Sequence, residues 1–183
     1  NLFWNYNDFI IKMDLNYLQK LNDKTIDLVE NLRLKKKKII CIESCTGGLL
    51  SSSITSIPNT SNVFEMGLVT YSNDSKVSLC GFQKEIIVNH GAVSKEVSKL
   101  MSEKVLELTN YQVSDLISIS STGISGPKGG SKKKPIGTIY ISISHDNETK
   151  TYHNIIKGES RKIIQVKSVI FMIEKLIEIL TKL

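Results

Sequence analysis

The residues Ile39-Ile40-Cys41-Ile42 form a short apolar run that stops abruptly on Glu43-Ser44-Cys45-Thr46-Gly47-Gly48, and Leu49–Ile57 continues with helical character. A buried strand that ends in a glycine turn and opens straight into a helix is the building unit of layered α/β folds. The pattern returns downstream. Asp115–Ser121 alternates Leu, Ile and Ser, then gives way to Thr122-Gly123 and a loop over Gly126–Pro135 rich in Gly, Pro and Lys.

The remaining segments fit the same plan. Leu15, Leu18, Leu21, Ile26, Val29 and Leu32 give a first amphipathic helix, and Lys35–Lys38 sit where a helix dipole favours cations. Phe64–Tyr71 reads as a second strand containing Gly67, and Asn73-Asp74-Ser75 opens a short helix carrying Lys76. Ser94 is an N-cap for a helix whose apolar face is Val97, Leu100, Met101, Val105 and Leu108. Ile136–Ser144 has the period of a half-buried strand, Asp146-Asn147 makes a turn, and Thr149–Lys157 returns as its antiparallel partner. From Arg161, the residues Ile163, Val166, Ile170, Ile173, Ile177 and Leu180 form the stripe of a long closing helix. The order α-β-α-β-α-α-β-β-β-α predicts a single-domain α/β/α fold, a mixed sheet flanked by helices. Met13 is a possible internal start, so residues 1–12 are expected to be an N-terminal extension and 13–183 the domain.

A length of 183 residues suits one domain. The net charge of +6 invites a polyanion as partner, yet 22 of the 24 basic residues are Lys, and Arg33 and Arg161 are the only arginines. With 25 Ile, 13 Asn and one Ala, the composition follows A/T-rich codons, and the residue type that reads bases and phosphates bidentately is scarce. No nucleic-acid partner is expected. No run of about 18 uncharged apolar residues suggests a membrane span. Cys41, Cys45 and Cys80 are few, odd in number and set in core-like segments, which fits a reducing, cytoplasmic compartment; an organellar address in a preceding segment stays open. His90, His145 and His153 share no metal-ligand spacing with one another or with the cysteines, so neither a metal nor a cofactor is expected.

Two glycine-rich turns at strand ends suggest one shared pocket, because ligands of open α/β sheets sit outside the carboxyl ends of strands. On spacing alone, the first turn is either a tight connection with Ser44 or Thr46 as N-cap or a platform for a nucleophilic hydroxyl. It is neither a P-loop nor a Gly-x-Ser-x-Gly elbow. No histidine lies in either turn, so a base for Ser44 must come from elsewhere. Lys76 is a candidate if burial or nearby positive charge lowers its pKa.

Five segments in order resemble the C-terminal domain of the CinA (competence/damage-inducible protein A) family, which includes nicotinamide mononucleotide deamidases. They are Glu43–Gly48; Gly67–Asn73 with Lys76; His90-Gly91-Ala92-Val93-Ser94; Ser121–Pro127; and Lys134–Tyr140, within a likeness running from about Leu15 to the C-terminus. The resemblance implies hydrolysis of nicotinamide mononucleotide to nicotinic acid mononucleotide and ammonia, with Ser44 as nucleophile, Lys76 as general base and Tyr71 nearby. It implies substrate contacts from Glu43, Thr46, Gly47, Gly48, Ser72, Thr122, Gly123, Gly126 and Arg161, no metal, and self-association of the chain. Ser125 and Lys128 depart from the small residues expected in the second loop, Lys132–Lys134 make it more basic, and Glu159-Ser160-Arg161 is a looser match than Gly-Asp-Arg. Many relatives carry a preceding pterin-binding-like domain, for which this chain has no room. Cys45 competes with Ser44 as nucleophile, and a pyridine-nucleotide-binding or regulatory protein without turnover is the alternative function.

Overall fold

A computed structural model describes the backbone of residues 6–158 and 160–183, with side chains from residue 15 onward. The elements are α1 (Tyr6–Leu34), β1 (Lys38–Glu43), α2 (Leu49–Thr55), β2 (Phe64–Val69), α3 (Asn73–Cys80), α4 (Lys84–His90), α5 (Lys95–Leu106), β3 (Leu116–Gly123), β4 (Thr138–His145), β5 (Glu148–Ile155) and α6 (Arg161–Leu180). The α/β/α architecture is as expected. The first helix begins at Tyr6, within the segment assigned to an extension; residues 1–5 and Glu159 lie outside the described residues. Helix α4 has no counterpart in the sequence reading, because its seven residues are too few to establish a period.

The sheet runs β2-β1-β3-β4-β5, with β1 parallel to β2 and β3, and β4 antiparallel to both its neighbours. Parallel strands need crossovers, which α2 and then α3–α5 supply, whereas β4 and β5 are joined by a two-residue turn. Both turn residues, Asp146 and Asn147, have positive φ, the geometry that matches strand twist in a tight hairpin.

Central strand β1 is apolar on both sides, as a doubly covered parallel strand must be. Ile39 and Cys41 face a core built with α1, α2 and α6, while Ile40 and Ile42 face a second core under α3, α4 and α5. Period-two alternation then places Glu43 on the side of Ile39 and Cys41, next to α2. On α1 the buried stripe is Leu21, Thr25, Leu28, Val29 and Leu32, whereas Leu15, Leu18 and Ile26 are partly or largely exposed. Ile26 lies about 100° around the helix from Thr25, off that stripe. Leu108 is exposed too, because α5 ends at Leu106.

Strand β4 is buried on both faces instead of one. Its second face is polar yet covered. Ser98 Oγ on α5 is 2.9 Å from both Ser120 Oγ and Ser142 Oγ, and Ser102 Oγ is 3.0 Å from Ser118 Oγ and 2.8 Å from Ser144 Oγ. The seam continues to β5 through Ser142–Thr151 and Ser144–Thr149. Small side chains let α5 approach the sheet closely, and each hydroxyl finds partners, so burial carries no unpaired-group penalty.

Glycine is required where α2 crosses β2. A Cβ on Gly67 would collide with Ser51 Oγ and lie 2.8 Å from Ser51 Cβ. Gly67→Ala is expected to lower unfolding free energy by about 1–3 kcal/mol, read from the urea midpoint at constant slope.

Candidate active site

The carboxyl ends of the three parallel strands open into one cavity of about 280 Å³. The turn after β1 brings Ser44, the segment after β2 brings Tyr71, Asn73 and Lys76, and the loop after β3 brings residues 122–126 with Lys128 and Gly129. Ala92 and Val93, before α5, and Arg161, at the start of α6, close the rim.

Ser44 is 7% exposed and lines this cavity. Its N–H donates to Ser121 O at 3.0 Å, which extends the β1–β3 ladder by one residue and holds the turn at the sheet edge. Cys45 also borders the cavity, but its side chain is buried. It belongs to the α1/α2/α6 core, and its Sγ lies 3.0 Å from where a Cβ on Gly123 would stand, so glycine there leaves room for the thiol. Burial pushes the Cys45 pKa up to about 12, which keeps it protonated at neutral pH. The two nucleophile types at this turn thus differ: a protonated, core-packed thiol and a serine that borders the cavity.

Lys76 is 2% exposed, an unusual fate for a helix lysine. Its Nζ donates to Thr70 O at 2.9 Å and Tyr71 O at 3.3 Å, and desolvation lowers its pKa below the ordinary 10.5. Carbonyl dipoles position the amine, while no carboxylate pairs with it among the described residues. A lysine in that setting has a larger neutral fraction near pH 7 and is suited to accept a proton. Tyr71 is 62% exposed, and its hydroxyl accepts from Arg161 Nη2 at 2.8 Å. Arg161 Nη1 donates to Gly126 O at 2.7 Å, so one guanidinium bridges the second and third strand ends.

With this arrangement in view, a model of the CinA C-terminal domain matches residues 21–180. The chain belongs to the CinA C-terminal domain family. It is 43% identical over 149 residues to a CinA-like protein of Endomicrobium trichonymphae, covering 81% of this chain and 34% of that relative. It also resembles the solved competence/damage inducible protein of Agrobacterium tumefaciens, with TM-score 0.80, 28% identity, and 87% and 94% of the two chains covered. A CinA superfamily protein of Klebsiella pneumoniae gives TM-score 0.82 at 25% identity, with 89% and 99% covered. The chain spans about a third of the length of the curated relatives it matches.

In this CinA domain the cavity gathers Ser44, Lys76, Tyr71, Thr122, Gly123, Gly126 and Arg161, all expected from the sequence. Other expected substrate contacts sit elsewhere. Glu43 is fully buried, and its carboxylate accepts from the N–H groups of Gly48 (3.1 Å), Leu50 (3.1 Å) and Ser51 (2.8 Å) and from Ser51 Oγ (2.7 Å). It fills the start of α2 with protein charge, which neither Ser44 nor Thr46 caps. The Gly47 N–H donates to Ser44 O at 3.2 Å, so neither glycine N–H is free for a ligand. Thr46 is 2% exposed and pairs with Ser121 Oγ at 2.8 Å, and Ser72 is the N-cap of α3, accepting from the Ser75 N–H. Gly47 and Gly48 border a separate cavity on the α6 side.

Asn73 and Ser125 also line the cavity without being expected contacts, and so does Lys128, which the charge pattern, with Lys76, Lys132–Lys134 and Arg161, leads one to expect around a pocket for an anionic nucleotide. Asn73 ends the Gly67–Asn73 segment that carries Tyr71, a signal in the sequence that could find it. Lys134 is tied away from the cavity, donating to Val93 O at 2.6 Å and His90 O at 3.2 Å. Lys132 and Lys133 are exposed, which leaves Lys76, Lys128 and Arg161 as the cationic lining.

Glu43→Gln is expected to lower unfolding free energy by about 1–3 kcal/mol in urea titrations, since an amide cannot serve all four donors. The Lys76 shift also has a stability signature. With a folded pKa below the unfolded one, burial of the ammonium costs most at low pH, and the cost fades as pH rises toward 10.5. Relative to Lys76→Met, the parent should therefore gain stability from neutral to alkaline pH, measured as the difference between the two unfolding curves.

Proposed function

We propose that this domain hydrolyses the carboxamide of nicotinamide mononucleotide, releasing nicotinic acid mononucleotide and ammonia. The observation that carries the reading is one compact cavity holding a serine hydroxyl and a buried, pKa-lowered lysine, with an arginine at its rim. A volume of about 280 Å³ suits one mononucleotide better than a dinucleotide or polymer. The N–H groups of Ser125, Gly126, Lys128 and Gly129 carry no hydrogen bond among the described residues, and with Arg161 they offer donors to a phosphate.

In this mechanism neutral Lys76 removes the Ser44 proton as Oγ attacks the amide carbonyl. The N–H group of Cys45, a residue that borders the cavity and whose N–H donates to no oxygen among the described residues, offers a donor for the developing oxyanion. The Lys76 ammonium then protonates the leaving nitrogen, ammonia departs, and Ser44 is left as a nicotinoyl ester. Water, deprotonated by Lys76, opens the ester, and the Lys76 ammonium returns the proton to the departing Ser44 oxygen.

Ser44→Ala and Lys76→Met should each reduce ammonia release from nicotinamide mononucleotide by about 10³-fold or more, measured on purified folded variants. The rate should rise with pH on a limb set by Lys76 deprotonation, below the ordinary lysine range. Persistent turnover in either variant would overturn the assignment. The pocket also supports a binding-only reading, because Lys76 Nζ is held by two carbonyls and makes no hydrogen bond to Ser44 among the described residues. Calorimetric binding of the nucleotide with no ammonia released would favour it.

A further inference from the structure

The Cys45 carbonyl, one residue past Ser44, accepts two side-chain hydrogen bonds from distant parts of the chain. Gln165 Nε2 on α6 donates at 2.8 Å, and Ser125 Oγ from the loop after β3 donates at 3.2 Å. The donors stand 120 and 80 residues away in sequence. Helix α6 is already anchored by Ile163, Val166, Val169, Ile170 and Ile173, and the turn by Glu43 and Ser121. The fold has its own fastenings here, so the clamp adds something else.

A trans peptide is planar, so fixing its carbonyl also fixes the N–H that points the opposite way. The Ser44 carbonyl is held by the Gly47 N–H, and the Cys45 carbonyl by Gln165 and Ser125. Both peptide planes flanking Cys45 are thereby oriented, which fixes the Cys45 backbone and the direction of its N–H. Cys45 borders the cavity next to Ser44, so its conformation sets both the direction of its own N–H and the placement of the serine that precedes it. We propose that Gln165 and Ser125 are positioning residues that set the acylation rate of Ser44 by clamping the Cys45 carbonyl. The proposal rests on the hydrolytic reading above, but it concerns Ser44 reactivity toward any acylating group. Ser125, a departure from the resembled pattern in this loop, acquires a role by this route.

The test compares Gln165→Met, Ser125→Ala and Gln165→Lys with the parent in two reactions: phosphonylation of Ser44 by a fluorophosphonate, followed by intact mass, and ammonia release from nicotinamide mononucleotide. Gln165→Met keeps side-chain length without the donor, and Gln165→Lys keeps a donor. Each loss variant should slow phosphonylation and kcat about tenfold while leaving KM within about threefold, as expected for one lost oriented hydrogen bond. Gln165→Lys should restore most of the rate, and the melting temperatures should match. Parent-like rates in folded Gln165→Met and Ser125→Ala would overturn the proposal. So would a fall in melting temperature with kcat and KM shifting together and no rescue by Lys. A parent that is phosphonylated, and slowed by Gln165→Met, but releases no ammonia would sink the substrate assignment and leave the clamp standing. A parent inert in both reactions would overturn both.

Discussion

The Glu43 carboxylate lies at the end of the central strand, fully buried, with the N–H groups of Gly48, Leu50 and Ser51 and the Ser51 hydroxyl donating to it. Four donors and the positive end of a helix offset the cost of taking the charge out of water. The interaction joins the carboxyl end of β1 to the start of α2 and so determines the path of the intervening turn. Ser44 follows Glu43 directly, and the alternation that sends Glu43 toward α2 leaves Ser44 at the mouth of the sheet. The packing of Gly67 under Ser51 belongs to the same construction, because Ser51 Oγ is one of the four donors.

The other face of the sheet is organised by hydroxyls. Ser98 and Ser102, one helical turn apart on α5, meet paired serines of β3 and β4, and this brings the segment preceding α5 close to the strand ends. Thr122 Oγ1 then donates to Ala92 O at 2.7 Å, fixing the wall that Ala92 and Val93 give the cavity. Lys134 adds a second tie by donating to Val93 O and His90 O. A lysine that reads as loop charge in the sequence is thus a structural donor.

The basic excess divides along similar lines. Lys37 donates to Ser114 O and pairs with Asp146, Lys38 pairs with Glu65 at 3.2 Å, and Arg33 donates to the carbonyls of Pro58 and Asn59. These cations sit at the end of the sheet opposite the cavity and act on protein groups. Surface pairs of this kind contribute little each. Among the described residues, no helix is long and apolar enough to cross a membrane.

Apolar runs ending in glycine turns, a helical period in α1, α5 and α6, and the Asp146-Asn147 turn were enough to establish the layered fold, because each follows from local periodicity and backbone sterics. The residues at the strand ends were legible for the same reason: Ser44, Tyr71, Lys76 and Thr122 each end or follow a recognisable run. Side-chain direction was not legible. Glu43, Thr46, Gly47 and Ser72 have the chemistry of ligand contacts, yet their hydrogen bonds are satisfied by α2, Ser121, Ser44 and α3. The burial of β4 depends on α5, which lies more than thirty residues upstream, and the Cys45 clamp depends on α6, 120 residues away. The sequence by itself determined which segments bury and where chains turn. Only the tertiary structure decided which polar groups satisfy one another and which remain open to a ligand, because that pairing is a long-range competition for each donor and acceptor.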